Sequence, residues 1–384
     1  MTDRKAFIGA TIFDGNQTHA GAALLTDDGR SSGIVPTDKI DSAYECINLN
    51  GGLITAGFVD LQVNGGGGVL FNEAPTVDSI KTICAAHQQF GTTALLPTLI
   101  TDTPEITKRA IEAGLEAQSQ NISGFLGLHL EGPHLSVEKK GAHSPKLIRR
   151  MTDHDLEILC EAKQQLENLL ITVAPESVDN DQISVLSAAG IHVSLGHTNT
   201  SASRAKSAFD AGATSVTHLY NAMSPLTHRE PGLVGAALNE AKAYCGLIAD
   251  GVHVDPDAIN IALKMKTSEG KLFLVTDAMS TIGTDQQEFT LNGRVITRNN
   301  GRLTLENGTL AGADLDMISA IRYMVGNTIC DRDEALRMAS TYPSNYLGTA
   351  KSHGSLSSGA FGNFVHLSEK LEILSVWEMG TQVH

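Results

Sequence analysis

The chain has 384 residues, enough for two or three domains of about 150 residues or for one α/β barrel with an appendage. Its 28 Lys and Arg against 43 Asp and Glu leave a net charge of −15, which disfavours non-specific attraction to nucleic acid or to anionic membranes. A hydrophobic fraction of 41% with 18% charged residues excludes a disordered chain, and five scattered cysteines with no C-x-x-C pair speak against a disulfide framework or a zinc knuckle.

The N-terminus, MTDRKAFIGATIFDG, lacks the apolar run of a secretion signal, and no stretch approaches the roughly 18 apolar residues of a membrane span, so a cytoplasmic protein is expected. Residues 1–52 alternate short strand-like runs (AFIGATI, GAALLTD, SGIVP, ECINL) with Gly and Asp turns and show no helical periodicity. From residue 53, eight apolar runs rich in Val, Ile and Leu follow: 58–63, 93–98, 125–130, 169–174, 192–196, 215–219, 245–249 and 272–276. Between them lie helix candidates at Val77–Phe90, Pro104–Gln120, Asp155–Gln165, Asp181–Ala189, Ser203–Ala211 and Asp255–Lys266. Eight such alternations predict a (β/α)8, TIM-like barrel over 53–349. The connection between the sixth and seventh runs is long and carries two prolines, which marks a functional loop. From 350 to 384 the turn-and-strand texture returns, so the two ends are expected to join in a small β-sandwich beside the barrel.

In such a barrel, side chains at the C-terminal ends of strands converge on one pocket. Glu131 follows the third run, His197 the fifth, and His218 lies in the sixth. One carboxylate and two imidazoles suit zinc first, or iron, cobalt or manganese, and leave a coordination position open for catalysis. Singly, each has a blander reading: a solvated loop-start Glu, or a His hydrogen-bonded in packing. Neighbouring His129, His134 and His192 are expected to be of that kind. Asp277 ends the eighth run, where a carboxylate can take a proton from water and return it to a leaving nitrogen, or else form a buried ion pair or helix cap. Asp250, followed by Gly251, reads as a turn residue. Asn221, Ala222, His228, Arg229 and His253 could offer donors to an anion, and with a Debye length of about 8 to 10 Å the global negative charge need not stop phosphate binding if they lie within contact distance; a solvated loop charge is the blander reading of Arg229. No Walker loop occurs, and GGGG at 65–68 lacks the placement of a dinucleotide site.

The strings AGFVDLQVNGGGG, HLEGPHLS, KKGAHSP, SLGHTNT, THLYNAMSP, HREPGLVG, ADGVHVDP, LVTDAM and NGTLAGA run through nearly the whole chain in an order and spacing that resembles the N-acetylglucosamine-6-phosphate deacetylases of the amidohydrolase superfamily. The resemblance implies a metal on Glu131, His197 and His218, with Asp277 as base and then acid. It adds His143 as the group that polarises the acetamide carbonyl. It also implies that Asn221, Ala222 and Arg229 bind the 6-phosphate, that His253 contacts the sugar, and that Ala142, Leu310, Ala311 and Gly312 line the pocket. A homodimer in which Arg229 reaches across the interface follows from the same source. The sequence departs from most amidohydrolases in reading Gln62-Val63-Asn64 where His-x-His holds a second metal, so one metal per site is expected. Deacetylation of the galactosamine analogue, hydrolysis of another small amide, and a non-catalytic sugar-phosphate sensor stay open as alternatives.

Overall fold

The computed structural model describes residues 3–384. Eight parallel strands stand side by side in chain order: β1 (Phe58–Val63), β2 (Thr92–Ile100), β3 (Leu128–Glu131), β4 (Leu169–Val173), β5 (His192–Leu195), β6 (Ser215–Val216), β7 (Tyr244–Leu247) and β8 (Leu272–Leu274). Every residue of β1 and β2 is buried, as parallel strands covered on both faces require, and this is why the runs read as continuous apolar strings. The barrel closes just past β8, where Asp277 N–H donates to Gln62 O at 2.9 Å and Asn64 N–H to Ala278 O at 2.8 Å. Buried Asp60 fastens the same seam, accepting the Thr276 hydroxyl at 2.5 Å.

The six helices expected around the barrel form at Val77–Gln88, Pro104–Ser119, Asp153–Gln165, Asn180–Ala188, Ala202–Asp210 and Pro256–Met265. Each starts on a Thr, Ser or Asp whose side chain accepts a first-turn N–H, which satisfies a donor the helix itself cannot. The long connection before β7 contains a further helix, Gly232–Asn239.

The chain ends form two sheets, one of four strands (Arg4–Ile8, Ala22–Asp27, Arg30–Pro36, Glu45–Asn48) and one of six that takes in Phe364–Leu367 and Ile373–Glu378. Phe7, Leu24, Ile54, Phe364 and Trp377 pack together as the core of this sandwich. The six-stranded sheet also includes Leu53–Ala56, past the boundary expected at residue 52. Two features after β8 were not anticipated. Residues 288–305 fold as a three-stranded antiparallel sheet, and three helices follow at Met317–Asn327, Arg332–Ala339 and Thr341–Leu347. Among the described residues no helix is long and apolar enough to cross a membrane.

Candidate active site

At the C-terminal ends of the strands, Glu131, His197, His218 and Asp277 meet at the base of a cavity of about 350 Å³. Glu131 is the last residue of β3, while His197, His218 and Asp277 lie two or three residues beyond β5, β6 and β8. These three have φ of 46°, 31° and 51°, a left-handed backbone that L residues rarely adopt and that the packed strand ends hold in place.

Three atoms able to ligate a cation face one another here. Glu131 Oε1 is 3.1 Å from His218 Nε2 and 3.3 Å from His197 Nε2, and the two imidazole nitrogens are 3.0 Å apart. His197 Nδ1 lies 2.9 Å from the Lys139 carbonyl, which can only accept, so its proton sits there and Nε2 presents a lone pair. Lone pairs crowded at such distances around a carboxylate call for a cation between them. Their spacing is close to the edge of a tetrahedron with bonds of about 2.0–2.1 Å, roughly 3.3 Å. The residues therefore fit a divalent metal. His143 also offers an atom within 4.8 Å of those on Glu131 and His197. It is the weaker third ligand, because its Nε2 stands 3.6 Å from the other carboxylate oxygen, Oε2.

Gln62 and Asn64 occupy the floor. Gln62 Nε2 donates to Glu131 Oε1 at 3.0 Å and to Asp277 Oδ1 at 3.1 Å, and Asn64 Nδ2 donates to Asp277 Oδ1 at 2.7 Å. Amide hydrogens thus bridge the two carboxylates. Burial, and then the nearby Glu131 charge, raise Asp277 to about 6. Burial would also raise Glu131, but the surrounding imidazoles of His143, His197 and His218 outweigh it and hold that carboxyl well below its usual range. His143 is pushed down to about 4, mainly by burial and then by His197.

Residues 53–383 match the amidohydrolase family. The chain belongs to that family.

Within it, this amidohydrolase is 44% identical over 332 residues to the N-acetylgalactosamine-6-phosphate deacetylase of Shewanella sp. (strain ANA-3), covering 86% of this chain and 83% of the relative. The crystal structure of N-acetylglucosamine-6-phosphate deacetylase from Pasteurella multocida superposes with a TM-score of 0.95 at 36% identity, covering 99% of both chains. That of a Mycobacterium smegmatis N-acetyl-D-glucosamine-6-phosphate deacetylase mutant, in complex with N-acetyl-D-glucosamine-6-phosphate, gives 0.89 at 29% identity, covering 100% of this chain and 99% of that one. The amidohydrolase is accordingly of the N-acetylhexosamine-6-phosphate deacetylase type.

The remaining residues singled out from the sequence fall around the same cavity, with exceptions. His143, Asn221, Ala222 and His253 line it, and so do Ala142, Leu310, Ala311 and Gly312. Arg229 is exposed and is not among the lining residues, nor is His228. Asp250 is a turn residue that accepts the N–H groups of Val252 and His253, but it also holds His253 Nδ1 at 2.6 Å. His129 is a packing residue, bonded to Thr172 at 2.8 Å inside the amidohydrolase barrel. Sequence reasoning missed the antiparallel insertion, whose Leu291, together with Thr309 just beyond it, lines one side of the cavity. Its signal was present: Asn292-Gly293 and Asn300-Gly301 are two-residue turns, all four residues with positive φ, between short alternating runs.

Proposed function

We propose that the enzyme hydrolyses N-acetylglucosamine 6-phosphate to glucosamine 6-phosphate and acetate. The observation that carries this is the convergence of Glu131, His197 and His218 on one point with Asp277 beside it, in a cavity rimmed by neutral and imidazole donors. One divalent metal ion, zinc first, is held by those three side chains, and when bound it polarises the amide carbonyl and makes water nucleophilic at neutral pH.

The protein's own groups do the rest. Both amides of Gln62 and Asn64 bond to Asp277 Oδ1, which leaves Oδ2 to take the proton of the attacking water and return it to the departing nitrogen. His143 donates to the acetamide oxygen as negative charge builds on it. Asn221 and Ala222 meet the 6-phosphate, and His253, held by Asp250, meets the sugar ring. Arg229, exposed and outside the cavity lining, serves a neighbouring copy's phosphate in a homodimer. Five free cysteines favour a reducing compartment, in keeping with a cytoplasmic enzyme. The bridging amides at Gln62 and Asn64 take the place of a second cation, so elemental analysis should find one metal per chain; two tightly held ions would overturn this.

The 44% identity to a galactosamine-type enzyme favours the C4 epimer as a second reading. Acetate release from both 6-phosphates and from unphosphorylated N-acetylglucosamine, before and after chelation, separates the possibilities. Equal rates with and without the phosphate would remove the assignment of Asn221, Ala222 and Arg229.

A further inference from the structure

Barrel strand β2 ends at Ile100, and the next side chain, Thr101, lies buried behind His143. Its hydroxyl oxygen is 2.8 Å from His143 Nδ1 and 3.2 Å from the main-chain oxygen of Glu131. One hydroxyl hydrogen allows two networks. In the first, Thr101 donates to the Glu131 carbonyl and accepts from His143 Nδ1–H, leaving a bare lone pair on Nε2. In the second, Thr101 donates to Nδ1 and His143 carries its proton on Nε2. The carboxylate oxygen Oε2 of Glu131 lies 3.6 Å from Nε2, where it repels a lone pair and attracts an N–H. In either network the hydroxyl is bonded to Nδ1, so the ring is held with Nε2 on the side of Glu131 and the cavity.

We propose that Thr101 is a positioning residue whose hydroxyl, bonded to Nδ1, fixes the orientation of the His143 ring so that Nε2 faces the substrate's amide carbonyl. This rests on the reading of His143 given above. The place of the hydroxyl is built into the backbone on the other side. Gly132, directly after the ligand Glu131, has φ +89°, and a Cβ there would come within 2.1 Å of Thr101 Oγ1. The residue beside the metal ligand is thus one whose missing side chain makes room for this hydroxyl. Asn292 of the antiparallel insertion reaches the Thr101 carbonyl at 3.4 Å, so strand end and insertion meet at the same residue.

Replacing the hydroxyl by a methyl group in Thr101→Val keeps the shape and removes the donor. Loss of such an outer-shell partner lowers kcat by about 10- to 100-fold, and KM should stay near the parental value because no substrate contact is lost. Thr101→Ser keeps the donor and should restore turnover. In 15N-histidine NMR of the metal-loaded enzyme, the His143 Nδ1 shift should be the same in the parent and in Thr101→Ser and should move in Thr101→Val, where its hydrogen-bond partner is gone. Parental kcat in Thr101→Val while His143→Ala loses turnover would overturn the proposal, as would a His143 Nδ1 shift that Thr101→Val leaves unmoved. Parental turnover in His143→Ala would instead sink the reading of His143 on which the proposal stands.

Discussion

Asp277 lies where opposing influences on one carboxyl nearly balance. Burial and the Glu131 charge raise its pKa to about 6, while His218, Asn64 and His253 pull it back. Only the ionised form can accept a proton, so kcat/KM should fall as pH drops through this region. A cation alongside favours the ionised form and moves that limb below about 6. Asp277→Asn keeps size and hydrogen bonding but cannot take the proton, and turnover should fall by about 10²- to 10⁴-fold with fold and metal content unchanged; retention of parental turnover would exclude the role. At this scale the sequence was informative in places. Glu131, His197, His218 and Asp277 could be picked out because each follows an apolar run. His143 lies in a loop with no such marker, and only family resemblance pointed to it. Thr101 was invisible, because an ordinary Thr after a strand acquires meaning only from what stands 2.8 Å away.

The antiparallel insertion at 288–305 is the element that sets one wall of the cavity. Leu291, Ile296 and Leu303 pack with Leu70, Ile100 and Met279, which gives the small sheet its own apolar anchor on the barrel. Arg294 ties it to the loop carrying His143 by donating to the Ala142 carbonyl. A charge-assisted hydrogen bond of this kind contributes about 1.5–3 kcal/mol. Arg294→Met should therefore lower the melting temperature by a few degrees and, by loosening the loop that carries His143, raise KM more than it lowers kcat; an unchanged melting temperature would show that the contact holds nothing in place. The barrel helices were legible because periodicity and caps agree in each. The insertion is hard to read because eight βα units are already complete at β8 and its two Asn-Gly turns join strands of only four to six residues.

Across the whole molecule, burial sets a pH limit on stability. His134, His192 and His353 are each pushed to about 4, by burial first. An unfolded histidine titrates near 6.5, so between about 4 and 6.5 the unfolded chain binds protons that the folded one does not. The stabilisation is complete above 6.5 and is lost as pH falls toward 4. The melting temperature should drop by several degrees over that interval, and His192→Gln should flatten the curve. A melting temperature constant from pH 7 to 4.5 would contradict the burial argument. The general architecture could be read because a barrel strand covered on both faces leaves an uninterrupted apolar string, whereas Leu53–Ala56, an inner strand of the six-stranded sheet, is buried throughout and looks like one more such string.

The seam between β1 and β8 ties the site to closure of the barrel. Glu131, His197 and His218 lie between Gln62 and Asn64, near the start of the chain, and Asp277, near the end of the barrel. The amides that hold Asp277 reach it only when the last stave meets the first, so the cluster is complete only in the closed barrel.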